Sequence, residues 1–231
     1  MKRVLLLSVI CLFAISAVTQ IASAQKKIEG PWAFMIAACA AGKGGRDSTD
    51  IDSLKEVSKG AVTEDEVAKG LTVAIQSIRI GGLHWVEAKI KPTGGNNIQD
   101  LINAEKKKWG GGWEKLAADI NDHSAYFYTE VKSSKARSGV TMKVGSDDSV
   151  KVWLNGEVVH KNAVNRGASD FQDTFKVDLK QGLNPLLVKS SERGGGWSVF
   201  VGIDGDPGVQ VVAVEPVGKL ATSWGGVKAT Y

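Results

Sequence analysis

The side chains whose chemistry is easiest to name are the adjacent carboxylates Asp147 and Asp148, which stand directly before an alternating apolar stretch. Carboxylate oxygens brought together suit a hard cation such as Ca²⁺, and the same pair can instead cap a strand through side-chain to backbone hydrogen bonds, the commoner use. Asp47, Asp50 and Asp52 form a second acidic group open to the same alternatives. Further on, Asn162, Asn165, Arg166 and Asp170 share one polar stretch. A loop of that kind at the end of a β-sandwich is where such folds carry recognition, although Arg166 can equally pair with Asp170. Trp109, Trp113, Trp153 and Trp197 offer ring faces on which the C–H face of a sugar can stack. Trp153 alternates with Val152 and Leu154, so it lies either on an open sheet face or under a cover on the second side of the sheet. Trp197 follows Gly194-Gly195-Gly196, a run that admits a close ligand or simply turns a corner.

Catalysis has less to stand on. His84, His123 and His160 are the only histidines and none has a metal-ligand spacing, nor is there a G-x-S-x-G elbow. A glycosidase can work with two carboxylates alone, so that activity is disfavoured by the absence of any further motif rather than excluded.

These candidates must be positioned by strands. The segment Ser146–His160 reads as two alternating strands facing each other across Asn155-Gly156, the dipeptide best suited to a tight hairpin turn, with Val150, Val152 and Leu154 on one face and Lys151 and Trp153 on the other. FQDTFKVDL, NPLLVKS and GWSVFVGI follow at short intervals, while Ala125–Val131 and Val140–Val144 precede. Upstream, Ile75–Ile80 and Leu83–Lys91 read as strands around Gly81-Gly82, and Trp32, Phe34 and Met35 as a first strand or clasp. Thr63 followed three residues later by Glu66 makes a capping box, which with Gly70 as a stop predicts a short helix over Glu64–Lys69. Asn97–Lys108 adds a helical turn. The sum is a mostly β chain of eight or nine strands: an antiparallel jelly-roll β-sandwich with one or two short helices near its N-terminus.

The run SDDSVKVWLNGEVVHKN, the NRG after it, and FKVDLKQGLNPLLVKSSERGGGW together resemble a galactose-binding-domain-like jelly roll of secreted bacterial proteins, clearly over about residues 146–203. A more distant likeness is to protective-antigen-like lectin modules. Both resemblances imply a sandwich and neither implies a reaction. In calcium-dependent members of the lectin group an Asp-Asp pair holds the ion and the ion holds the sugar, positions that Asp147 and Asp148 would match; the further Asn or Asp loop of those lectins is not identifiable.

At the N-terminus, Lys2-Arg3, the apolar run Val4–Val18 and Ala22-Ser23-Ala24 make a secretory signal peptide over residues 1–24, too short to span a bilayer. Its removal lowers the formal charge of +4 by two units, so no basic field remains to attract nucleic acid. Cys11 leaves with it and Cys39 is then unpaired, a buried thiol by default, although Ile36-Ala37-Ala38-Cys39 also looks like a lipoprotein processing site. The expected organisation is a signal, one sandwich domain over residues 25–203 and a tail or linker over 204–231. The function expected is a secreted or extracellular, non-catalytic module for carbohydrate or another cell-surface polymer, with its ligand at Trp153, Asn162, Asn165, Arg166, Asp170 and Trp197 and Ca²⁺ at Asp147 and Asp148. No stable membrane insertion is expected after cleavage. The alternative is a structural or adhesive surface protein attached through the tail.

Overall fold

The computed structural model describes residues 26–204 and 209–212; the expected signal peptide and most of the tail lie outside these. Two antiparallel sheets form the body. The larger runs in the order β2 (Val86–Ala88), β1 (Trp32–Ala38), β3 (His123–Ser133), β8 (Gly182–Glu192), β5 (Ser149–Leu154) and β6 (Glu157–Asn162). The smaller is β7 (Asp173–Leu179), β4 (Arg137–Asp147) and β9 (Ser198–Ile203). A tenth strand, β10 (Val209–Val212), pairs with β3 beyond the end of β1, so the larger sheet extends past residue 203 into the segment expected to be tail or linker.

Directly opposed residues share a face, and their register draws two rows across the larger sheet. Phe34, Phe127, Val188, Val152 and His160 form one row. Met35, Tyr126, Lys189, Lys151 and Lys161 form the other. The first row faces the smaller sheet, where His160 stacks on Phe175 at 4.4 Å, and faces Trp113, which stacks on Phe34 at 5.5 Å beside helix α4 (Asn97–Trp109). The second row is roofed by the segment that carries α1 (Ser53–Val57) and α2 (Glu64–Lys69). There Lys189 Nζ donates to Ser48 O at 2.7 Å, Ile51 O at 2.6 Å and Glu64 Oε1 at 2.8 Å, and Tyr126 OH donates to the same Glu64 oxygen at 2.8 Å. The larger sheet is therefore covered on both faces, and its strands need apolar residues on both.

Local signals place the elements. In α2, Thr63 accepts from Glu66 N while Glu66 accepts from Thr63 N, the reciprocal bonds of a capping box, and Gly70 ends the helix. Asn155 and Gly156 at φ 56° and 85° close the β5–β6 hairpin. The expected strand over Ile75–Ile80 is corrected: α3 (Val73–Ser77) is a helical turn, capped by Thr72, whose side chain accepts from Ile75 N. Only Val86–Ala88 of the stretch Leu83–Lys91 pairs as a strand, and Asn97–Lys108 belongs to a full helix that runs on to Trp109.

The chain enters through Lys27, which bridges Gly202 on the smaller sheet, then becomes β1, six of whose seven residues are buried. Lipoprotein processing ahead of Cys39 would delete β1 and with it Trp32, Phe34, Met35 and Ile36, a loss no core of this size absorbs. Cys39 is instead a half-buried thiol, 3.5 Å from Ser124 Oγ. Among the described residues no helix is long and apolar enough to cross a membrane.

Val152 is wholly buried between the two sheets. Val152→Asp is expected to unfold the domain, since an unpaired buried charge costs several kcal/mol against a total stability of about 5–15 kcal/mol. Circular dichroism of the purified variant checks this; a soluble variant with unchanged melting contradicts the assignment of faces.

Candidate functional site

The chain changes sheets at Asp148. β4 of the smaller sheet ends at Asp147 and β5 of the larger begins at Ser149, while Asp148 N donates to Ser191 O at 3.2 Å. Ser191 opposes Ser149, so the next residue of β8, Glu192, is brought against the two aspartates. One oxygen from each of Asp147, Asp148 and Glu192 lies within 4.8 Å of the others. Asp147 is half-buried, Asp148 buried, and Glu192 is 0% exposed.

Backbone N–H groups partly answer this charge. Ala168 N donates to Asp147 Oδ2 at 3.2 Å and Arg193 N to Asp148 Oδ2 at 3.1 Å, while the backbone N–H of Arg166 lies near enough to favour the charged form of Asp148. Both Glu192 carboxylate oxygens are buried and neither makes a well-formed hydrogen bond, although the Gly194 N–H and the Asp148 carboxyl lie close. The surrounding loops close in through glycines. A Cβ at Gly45, which holds φ 61°, would strike Asn165 Oδ1 at 2.5 Å and Asp148 Oδ2 at 2.9 Å; one at Gly196 would come 2.7 Å from Asp147 Oδ2.

Burial and mutual repulsion make these poor carboxylates. Desolvation, then the charges of Asp148 and Asp147, push the Glu192 carboxyl up to about 8. Desolvation raises Asp147 to about 6 against the opposing Ala168 N–H, and raises Asp148 in spite of the N–H groups of Arg193 and Arg166. Three crowded acids, offset only in part by the Arg193 charge beside Asp148, present an all-oxygen donor set of the kind Ca²⁺ takes.

The sequence-derived ligand residues separate into distinct places. Trp153 is 1% exposed beneath Lys151 Nζ, which sits 4.7 Å from its ring centre, so it is part of the covered face and presents no ring to a sugar. Trp197 is fully buried, its Nε1 donating to Ser190 O at 3.2 Å; the triglycine run turns a corner. Trp113 is likewise core, and Trp109 packs edge-on against it at 4.9 Å. Asn162 and Arg166 both bind Asp173, at 3.1 Å and at 3.0 and 2.7 Å. Asp170 pairs with Lys27 at 2.9 Å rather than with Arg166. Asn165 is exposed and stands beside the carboxylates, its Oδ1 accepting from Arg46 N at 2.8 Å. Of the second acidic group, Asp50 binds Lys161 at 2.9 Å and Asp52 caps α1, so both are engaged in structure. Glu192 was missed by sequence reasoning; its one signal is an acid one residue before the Gly194–Gly196 run, and its meaning depends on which strand β8 pairs with.

No family model matches the chain, and no curated protein matches it either. Among solved structures, the chain is similar to the PA14 domain of the MpAFP antifreeze protein, at 12% identity and a TM-score of 0.45, over 82% of this chain and 88% of that one. It is similar to the PA14 sugar-binding domain from an RTX adhesin at 15% identity and a TM-score of 0.35, over 53% and 70%. It is also similar to an anti-sigma factor domain-containing protein from Clostridium clariflavum at 15% identity and a TM-score of 0.34, over 45% of this chain and about a third (34%) of the other. Likenesses this distant carry no functional conclusion by themselves.

Proposed function

We propose that this protein is an exported, non-catalytic module that binds carbohydrate or another cell-surface polymer through the loops around Asp147, Asp148 and Glu192, with a divalent cation, best matched by Ca²⁺, shaping that end of the sandwich. The observation that carries the reading is Glu192: a wholly buried carboxylate with no well-formed hydrogen bond, within 4.8 Å of two further carboxylates. A bound cation supplies positive charge to these oxygens and, at its remaining coordination positions, can accept hydroxyl oxygens of a sugar. Asn165, exposed at the rim with its Oδ1 occupied by Arg46 N, offers its amide N–H to the same ligand. The expected signal peptide supports export. Carboxyl groups this close also suit the nucleophile and acid of a retaining glycosidase, but such a pair must flank a sugar, and Glu192 has no surface for one to touch.

A glycan array probed in Ca²⁺ and in chelator tests this. Binding is expected in Ca²⁺ alone, and Asp148→Asn, which keeps the turn-forming shape but removes a ligand charge, is expected to abolish it while leaving a folded protein. Undiminished binding in chelator removes the cation from the reading; an array blank in both conditions removes carbohydrate.

A further inference from the structure

Arg166 fell among the residues whose type suggested ligand contact, yet its guanidinium points away from the carboxylates. Nη1 and Nη2 form a two-pronged pair with Asp173 Oδ1 at 3.0 Å and Oδ2 at 2.7 Å, and the group is only 15% exposed. Nη2 also donates to Ser146 Oγ at 2.9 Å, and that hydroxyl donates to Asp148 O at 2.8 Å. Asp173 opens β7 and additionally takes bonds from His160 Nε2 at 3.1 Å and Asn162 Nδ2 at 3.1 Å, both on β6. Arg166 thus ties the edge of each sheet to the residue just before the aspartate pair.

Its backbone faces the other way. The N–H of Ala168 donates to Asp147 Oδ2 at 3.2 Å, and two residues before it the N–H of Arg166 lies on the side of the Asp148 carboxylate, whose charged form it favours. One residue back, Asn165 lies against Gly45 at the rim. The segment 165–168 belongs to neither sheet, so nothing in a strand ladder fixes it. Its position over the carboxylates depends on side-chain bonds, and those of Arg166 are the ones with charge and fork geometry to hold it.

We infer that Arg166 is a positioning residue for the cation site: through Asp173 and Ser146 it pins segment 165–168 so that its backbone N–H groups orient Asp147 and Asp148 for the ion. The inference rests on the cation reading above. It follows the general behaviour of groups that orient metal ligands without touching the metal, whose removal weakens affinity about 10–100-fold.

The test is Ca²⁺ affinity by titration calorimetry on the full mature chain, read together with metal-free melting. Arg166→Lys keeps the charge and loses the fork; it is expected to bind Ca²⁺ at least about 10-fold more weakly. Asp173→Asn should weaken binding similarly, and the double variant little more than either alone, because both break one link. Val177→Ala, in the same strand but packed in the core, should lower the melting temperature and leave Ca²⁺ affinity unchanged. Should Arg166→Lys fail to fold, the comparison of Asp173→Asn with Val177→Ala decides alone. Unchanged affinity in Arg166→Lys or Asp173→Asn overturns the positioning role while the cation site stands, as does an equal loss in Val177→Ala. A wild-type protein that binds no Ca²⁺ overturns the cation reading and this inference with it.

Discussion

Raising the pH of the metal-free protein from about 5 to about 8 is expected to lower its melting temperature, and Ca²⁺ is expected to flatten that dependence. The Glu192 carboxyl is held up to about 8 in the folded state and Asp147 to about 6, whereas their ordinary values are 4.5 and 3.8. Between the unfolded and folded values the native state binds more protons than the unfolded chain. Stability from these groups is therefore fully present below the unfolded values and is lost as pH rises through the folded ones. The three carboxyls share their protons and titrate as one cluster. At about 1.4 kcal/mol per pH unit of displacement, and with Asp147 partly open to solvent, the loss across the window is on the order of a few kcal/mol. Bound Ca²⁺ replaces those protons, so its stabilising effect should grow as pH rises. Melting curves at successive pH values in chelator check the slope, with Glu192→Gln expected to be shallower, keeping only the part due to Asp147 and Asp148. A metal-free protein whose melting temperature climbs across this window contradicts the electrostatics assigned to the site.

Lys189→Met is the second change with a large expected effect. Lys189 is 1% exposed, and its ammonium is the ion-pair partner of Glu64, at 2.8 Å, beneath the helical roof. Burial pulls the Lys189 ammonium below its ordinary value against the support of Glu64, and burial raises Glu64 against the pull of Lys189. Removing the lysine strands Glu64 with Tyr126 and with Lys151, 3.7 Å from its other oxygen. Breaking a buried pair in this way costs about 3–5 kcal/mol, or roughly 6–20 °C in melting temperature for a chain of this size. Adding Glu64→Gln should recover much of the loss, since the amide removes the stranded charge. A single variant that melts with the wild type shows that the roof is not held by this pair.

The parts of the fold legible in the sequence were those set by neighbours along the chain. The β5–β6 hairpin follows from Asn155-Gly156 between alternating residues, and α2 from Thr63, Glu66 and Gly70, each a matter of a few adjacent dihedrals and caps. The helical turn at Val73–Ser77 was not legible, because Ile75, Ile78 and Ile80 suggested a strand and a single Thr72 cap decided otherwise. The site was half legible. Asp147 and Asp148 are adjacent in sequence, but Glu192 joins them only because β8 pairs with β5 in a register that opposes Ser191 to Ser149, a long-range fact. The tryptophans misled for a related reason: alternation shows that Trp153 faces away from Val152, and only the roof over the larger sheet makes that second face an interior.

Titration of Ca²⁺ into the protein at about pH 7.5, beside Glu192→Gln, tests the central claim most directly. One ion should bind per chain and raise the melting temperature with concentration, by about 2.7 kcal/mol of stability at a free level 100 times the dissociation constant, and the variant should lose most of that response. Identical melting curves in calcium and in chelator for the unmutated protein would contradict the account.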